Sequence, residues 1–300
     1  MTKDKFIGYS CGVASAIAYG LNPLFGLPLY ARGMTTPNVL FYRFLLAIAL
    51  LAAVMAAGGR SFRLERRQLT PLVAGGVLLA LSCLFLFLSF HVMDAGIAAT
   101  ILFVYPVMVA LIMALGFRER LPLPTWGAMA LALGGIALLN GVGGKFSFSG
   151  LVCVLLSALT YAVYMVLVRE SSLRELDSDT LTFYAMAAGL PVFLIALRGG
   201  ADLQLPGDGV GWICVCGLAL FPALLSFLLM AVAIRRIGAT PTAVIGALEP
   251  CTALAVGTLV FHERLTLRAA AGIALILVAV TAVVLRNDAG RAKRRERDRG

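Results

Sequence analysis

Charged residues in this chain are spaced to leave long apolar runs between them. Stretches of 26 uncharged residues lie between Lys5 and Arg32, between Arg67 and Asp94, and between Asp208 and Arg235. Runs of 23 separate Asp94 from Arg118 and Lys145 from Arg169, and one of 24 separates Arg120 from Lys145. Asp179 to Arg198 encloses 18 and Arg268 to Arg286 encloses 17. Two further runs hold a single charge each, Arg43 between Arg32 and Arg60 and Glu249 between Arg236 and His262. A helix needs about 20 apolar residues to cross a hydrocarbon core about 30 Å thick. The pattern therefore predicts an all-α membrane protein of ten transmembrane helices, numbered here as spans one to ten. Strands of a membrane barrel would alternate in polarity over about 10 residues. These runs are continuous and rich in Leu, Ala and Val, and helices satisfy their backbone internally in lipid.

Composition agrees. The chain is 61% hydrophobic and only 13% charged, against about 25% charged in a soluble domain, which excludes both a soluble globular protein and a disordered one. The net charge of +10 is unevenly placed. The N-terminus, the even-numbered loops and the tail carry 19 of the 25 Lys and Arg, and the odd-numbered loops carry five. The positive-inside rule then puts both termini in the cytoplasm of a bacterial-type inner (plasma) membrane. The basic tail, residues 287–300, follows a span directly and suits anionic lipid rather than nucleic acid. Trp126 and Trp212 fall at span ends, as interfacial anchors do. The first span is too long for a removable signal peptide and lacks its cleavage pattern. Cys11, Cys83, Cys153, Cys214, Cys216 and Cys251 all fall inside spans and lack accompanying histidines, so they read as packing residues rather than metal ligands or disulfides.

The two halves repeat. Pro106 through Phe117-Arg-Glu-Arg-Leu121 aligns with Pro250 through Phe261-His-Glu-Arg-Leu265 at a constant offset of 144, and Ser82 and Ala95 fall on Ser226 and Ala239. Upstream the offset is 142, pairing Ser15 with Ser157, Tyr19 with Tyr161, and Phe41-Tyr42 with Phe183-Tyr184. Residues 1–141 and 149–286 are thus two repeats of five spans. Because five is odd, the second repeat crosses the membrane in the opposite sense, a plan that places a substrate site near the midplane between the halves.

Ten spans in two halves, with a proline in spans four and nine and a Glu-Arg-Leu after each, resemble the drug/metabolite transporter superfamily. The EamA-type exporters are the nearest branch, and the aromatic amino acid exporters are a narrower suspicion. The resemblance implies export of small metabolites, often amino acids, through a central cavity. It also implies that spans four, five, nine and ten form a scaffold while the others line that cavity. Members often carry Trp-Gly in the first span; Tyr19-Gly20 stands in that place here.

Candidate substrate-binding residues follow from charge and aromaticity inside the spans. Glu249, before Pro250, lies about 14 Å from the cytoplasmic edge, and Arg43 about 10 Å from the external edge. Their levels then differ by roughly 6 Å in a 30 Å core. An intramembrane charge costs about 2.5–3.5 kcal/mol or more, so each should face protein or water. Three roles stand open: an ion pair that locks helices, a zwitterion site with Arg43 on the carboxylate and Glu249 on the ammonium, or proton coupling through Glu249. Asn22-Pro23 interrupts span one, freeing backbone groups and the Asn22 amide for a solute; Pro191 and Pro222 should kink spans seven and eight. Tyr42, Tyr105 (the repeat partner of Glu249), Tyr161, Tyr164 and Tyr184 complete the set, as rings able to stack on a planar solute, with packing or lipid contact as the plainer role. His91 and His262 read as interfacial. Gly127, Gly134, Gly135, Ala271 and Gly272 mark close helix packing in spans five and ten, as do Gly12, Ala16 and Gly20 in span one.

No metalloprotease, nucleophile-elbow or phosphate-loop pattern is present, and the longest loop, near Gly58–Thr70, is about a dozen residues. The expectation is a cofactor-free secondary transporter working by alternating access, neither enzyme nor metal protein. A drug effluxer of the same fold is the nearest alternative; a membrane-embedded enzyme or a channel is further away.

Overall fold

The computed structural model describes residues 3–60, 62–117, 147–237 and 245–279, with isolated positions between 127 and 138 and at 242, 281 and 282. Every regular element among them is helical. The order is α1 (Lys3–Gly20), α2 (Asn22–Ala31), α3 (Thr36–Ala57), α4 (Arg66–Ser89), α5 (Ala95–Leu102), α6 (Tyr105–Phe117), α7 (Phe148–Glu170), α8 (Ser178–Ala196), α9 (Gly209–Leu218), α10 (Ser226–Ile237), α11 (Leu248–Val260) and α12 (Leu267–Ala279). Seven segments are long and apolar enough to cross a bilayer, and α11 and α12 are shorter apolar helices where spans nine and ten were expected. Most of span five, with Trp126, and the basic tail lie outside the described residues.

Prolines stand at or next to the breaks in several spans, while Pro28, Pro71 and Pro191 lie inside continuous helices. Pro23 has no N–H to give the carbonyl of Tyr19, so α1 stops at Gly20. The Asn22 side-chain amide donates to that carbonyl instead, at 2.9 Å. Span four breaks at Phe103–Val104, just before Tyr105-Pro106, and span nine turns at Gly246–Ala247, just before Leu248-Glu249-Pro250. Span eight carries Pro222 in a π-helical turn, Ala219–Leu225, between α9 and α10. Such single wide turns recur at functional sites. Pro191 sits inside an unbroken α8.

Two antiparallel helix pairs frame the bundle. Span one runs against span eight, joined by Asp4–Arg236 at 2.9 Å, by Ser15 Oγ donating to the Ser226 carbonyl at 2.8 Å, and by Arg32–Asp208 at 3.0 Å. Helix α4 runs against α7, joined by Arg67–Glu175 at 2.6 Å and by Ser82 and Ser157, each hydroxyl donating to the other's carbonyl at 3.0 and 2.7 Å. Glycines allow the approach: a Cβ on Gly8 would meet Ile237 Cγ2 at 2.6 Å, and one on Gly150 would meet Met93 Cβ at 3.1 Å. Helix α3 packs on α8 through the edge-to-face rings of Phe44 and Phe193. Gly135 meets Gly272 and Ile276 closely, the expected small-residue contact of spans five and ten. Outward-facing apolar side chains, Leu267 at 91% exposure the most open, suit lipid rather than water.

The second Glu-Arg-Leu has a structural role. Glu263 accepts hydrogen bonds from the amides of Ala95 and Gly96, at 2.9 and 3.3 Å, so it caps the first turn of α5. Burial raises its carboxyl above the ordinary value, and the two amides pull the other way. Its counterpart Glu119 lies outside the described residues.

Candidate functional site

A cavity of about 390 Å³ lies between these helices, within the range of about 300–1,000 Å³ usual for small-molecule sites. Six of the eight sequence-nominated residues line it: Asn22, Arg43, Tyr105, Tyr161, Tyr164 and Glu249. The helix breaks put several of them there. Asn22 opens α2, Tyr105 opens α6, and Glu249 stands in the first turn of α11. The π-helical turn adds Ala223 and Leu224, so each broken span contributes wall at or beside its break.

Arg43 and Glu249 share the cavity without pairing. Among the described residues no ion pair within 4.0 Å joins them, so the helix-locking ion pair is not formed in this structure. Arg43 is 3% exposed. Its guanidinium sits 5.5 Å from the Phe87 ring centroid, in cation–π range, and its Nε lacks a hydrogen-bond partner among the described residues. The Asn22 Oδ1 is likewise buried and unpartnered. The aromatic wall is continuous: Tyr105 meets Tyr161 edge-on at 4.8 Å, and Tyr161 and Tyr164 lie 5.9 Å apart. Leu79, Leu86, Phe90 and Met186 supply apolar surface.

Tyr42 and Tyr184 are outside the lining, and helix phase is the reason. On α3 the cavity face runs Arg43, Ala47, Leu51, one residue every turn. Tyr42 is turned about 100° away and packs on Phe41 and Trp212. On α8 the face includes Thr182 and Met186. Tyr184 points oppositely, donating its hydroxyl to the Phe62 carbonyl at 2.8 Å. Spans four and nine also depart from the scaffold role implied by resemblance, since Ala99, Phe103, Tyr105, Glu249 and Ala253 all face the cavity.

Tyr19, Ser82, Cys83 and Ser226 also line it, and sequence reasoning did not nominate them. Tyr19 is central, within electrostatic reach of Arg43, Cys83 and Glu249. Its repeat partner is Tyr161, and that match was the signal available. Packing accounts for only some of the free cysteines: Cys214 is buried, but Cys216, on the opposite side of α9, and Cys251 are exposed. Among the described residues no group of three His, Cys, Asp or Glu is placed to hold a metal.

Polar links close each end of the bundle. At one end Arg32 pairs with Asp208, whose carboxyl is held below its ordinary value by the Gly211 amide and by Arg32. Beside them the Thr36 hydroxyl donates to Tyr30 and lies 3.0 Å from His91 Nε2, and the imidazole packs 4.1 Å from the Tyr30 ring. Partial burial lowers the His91 pKa, and the residue remains exposed at this end of the bundle. At the other end Arg67 pairs with Glu175, and Arg60 lies 3.8 Å from Asp179 on the cavity rim.

The EamA-like transporter family model matches twice, over residues 6–141 and 148–285. The chain belongs to the EamA-like transporter family. This makes it a multi-pass membrane transporter of the drug/metabolite superfamily, with a small-molecule substrate, and not an enzyme. Among its relatives is the uncharacterized transporter YxxF of Bacillus subtilis, 25% identical over 256 residues, covering 83% of this chain and 81% of that one. Another is an uncharacterized transporter of Archaeoglobus fulgidus, 25% identical over 248 residues, covering 81% and 86%. A solved crystal structure at 18% identity superposes with a TM-score of 0.66, covering 95% of this chain and 98% of the other, which shows a shared fold.

Proposed function

We propose that this EamA-family chain exports small organic metabolites, amino acids foremost and aromatic ones among them, by alternating access through the central cavity. One observation carries the reading. An arginine and a glutamate face the same small, aromatic-walled cavity and leave each other unpaired. Unpaired intramembrane charges are costly and mark solute or ion sites. A zwitterion with a carboxylate for Arg43, an ammonium for Glu249 and an apolar side chain for the tyrosines satisfies all three surfaces. The site is Tyr19, Asn22, Arg43, Tyr105, Tyr161, Tyr164 and Glu249. A second reading, efflux of amphipathic drugs, is favoured by the leucine, phenylalanine and methionine wall.

The contacts support an inverted repeat of residues 1–141 and 149–286 with ten spans. Shifting span one by 142 and span eight back by 144 turns Ser15–Ser226 into Ser157–Ser82. The same shifts turn Gly8 against Ile237 and Arg236 into Gly150 against Met93 and Val92. Each antiparallel pair takes one helix from each half, and the cavity lies between the two pairs. Rocking one pair against the other opens it alternately to each face. Charge bias supports cytoplasmic termini in an inner membrane.

Counterflow tests this. Purified protein in liposomes is loaded with a panel of labelled amino acids and amphipathic drugs. Saturable exchange of phenylalanine or leucine is expected. Phenethylamine and 3-phenylpropionate, each lacking one charge, should compete more weakly than phenylalanine. Arg43→Gln should selectively erase the advantage conferred by the carboxylate. Unsaturable flux would indicate a channel and chemical conversion an enzyme, and either would overturn the proposal.

A further inference from the structure

We infer that the side-chain oxygen of Asn22 reads the solute's nitrogen: it accepts one N–H of the ammonium group while Glu249 accepts another, which restricts the cavity to primary and secondary amines. This rests on the transporter reading above and narrows its substrate class. Among the described residues three buried side-chain polar atoms lack a hydrogen-bond partner: Asn22 Oδ1, Arg43 Nε and the Tyr42 hydroxyl. Asn22 and Arg43 line the cavity and Tyr42 does not. Asn22 is 4% exposed, about as deeply set as Arg43.

A proline sets the orientation of the amide. Pro23 withholds the N–H that the Tyr19 carbonyl would have received, and Asn22 Nδ2 donates there instead, at 2.9 Å. Turning the amide over would set two oxygens against each other. The nitrogen is therefore tied to the backbone, and Oδ1 is left as the free acceptor. The joint between α1 and α2 lies against the first turn of α11, where a Cβ on Gly20 would meet the Glu249 carbonyl at 2.7 Å. Asn22 and Glu249 thus border the same part of the cavity.

The repeat singles out the same residues. At the offset of 142, Asn22-Pro23 corresponds to Tyr164-Met165 inside the unbroken α7, and Arg43 corresponds to Ala185; at 144, Glu249 corresponds to Tyr105. Residues that the halves share, such as Ser15 and Ser157, join helices. The free acceptor, the free donor and the acid are features that the halves do not share. The two unpartnered atoms are also opposite in kind, since Arg43 Nε needs an acceptor and Asn22 Oδ1 a donor. A simple anion satisfies only the first and a bare metal cation only the second. An amino acid satisfies both, with its carboxylate on Arg43 and two N–H groups on Asn22 and Glu249. A buried acceptor left unpaired is costly, so a solute that cannot supply the second N–H should bind about tenfold or more weakly. Positive charge on the nitrogen does not substitute for that N–H.

The test uses the full chain in liposomes, with labelled leucine exchange inhibited by phenylalanine, N-methylphenylalanine or N,N-dimethylphenylalanine. All three keep the carboxylate, the ring and a positive nitrogen, and only the last lacks a second N–H. In wild type the first two should compete within a few-fold of each other, and the dimethyl compound about tenfold or more weakly. In Asn22→Leu, similar in shape but without an acceptor, phenylalanine should weaken to the level of the dimethyl compound, whose own competition should not change. Asn22→Asp loses the same bond to Tyr19 but keeps an oxygen, and it should keep the discrimination. Damage to the α1–α2 joint alone would instead weaken all three solutes together, and equally in both variants. Asn22→Ala serves as a second acceptor-free variant, judged the same way, should Asn22→Leu fail to fold. A wild-type ratio near one, a ratio preserved without the acceptor, or a ratio closed by tighter binding of the dimethyl compound overturns the role of Asn22 alone. No saturable exchange of phenylalanine or leucine in wild type overturns the transporter reading with it.

Discussion

Gly20 sits where α1 touches the floor of the cavity, and there is no room on it for a side chain. A Cβ there would meet Thr252 Cβ at 2.5 Å and the Glu249 carbonyl at 2.7 Å. Gly116, on α6, has nothing within 4 Å of the same position. The two glycines therefore answer the same substitution with opposite sign. Gly20→Ala should destabilise by about 1–3 kcal/mol through overpacking, and it should push Glu249 out of register and weaken phenylalanine exchange. Gly116→Ala should be neutral or stabilise by up to about 1 kcal/mol, since it relieves the backbone entropy of a helical glycine. Thermal unfolding of the two variants in detergent checks this, and equal midpoints would contradict the α1–α11 contact. At this scale the sequence was partly readable. Glu249 and Arg43 stand out because any charge does in an apolar run. Tyr42 and Tyr184 were nominated by type alone, and their helix phase decided against them. In a helix that is apolar all round, the residue pattern does not say which face meets the cavity.

Serines buried at helix contacts explain how the elements are joined. In lipid the apolar effect does not drive helices together, so small residues and interhelical hydrogen bonds do. Ser15–Ser226 and Ser82–Ser157 are such contacts, with hydroxyl oxygens 3.2 Å apart in each. If each pair moves as one rigid bar, a covalent link inside a bar is harmless. Ser15→Cys with Ser226→Cys, and Ser82→Cys with Ser157→Cys, should each form a disulfide, since the side-chain γ atoms of each pair already touch across the contact. Phenylalanine counterflow should be the same in the oxidised and reduced forms of each variant. Exchange lost on oxidation and restored by reductant would mean that the helices within a pair slide, and the bar description would fall. The sequence offered the repeat itself, through the offsets 142 and 144. It did not reveal that span one leaves its own half to pair with span eight. Leu- and Ala-rich faces are nearly interchangeable, and the choice of partner rests on a few small residues read only in three dimensions. The break at Asn22-Pro23 and the wide turn at Pro222 were legible, because a proline cannot donate to the carbonyl one turn back; the breaks in spans four and nine were not expected, and Pro191 lies in a continuous helix.

Across the whole molecule, the two ends are latched by related ion pairs of reversed sign. A shift of 142 carries Arg32 to Arg174, and the 144 of span eight carries Asp208 back to Leu64. Glu175 and Arg67, one and three residues further along, form the second bridge. One end is thus closed by Arg32 on Asp208 and the other by Arg67 on Glu175. Each joins the loop after the first helix of one proposed repeat to the first turn of the third span of the other. Both bridges are water-exposed, so each is weak and salt-sensitive. Weakness is what a two-sided carrier needs, since a strong latch at either end would trap one state. Cys83 reports the balance, because it lines the cavity and can be left as the sole cysteine. Asp208→Asn should raise its labelling by a membrane-impermeant thiol reagent from the Arg32 face. Glu175→Gln should raise it from the Arg67 face, and the double variant should fall between the two. Each change should be a few-fold and should shrink in high salt, where the wild-type latches are already screened. A variant that raises labelling from both faces together would show a channel-like opening, and the two ends would then not be alternating gates of one cavity.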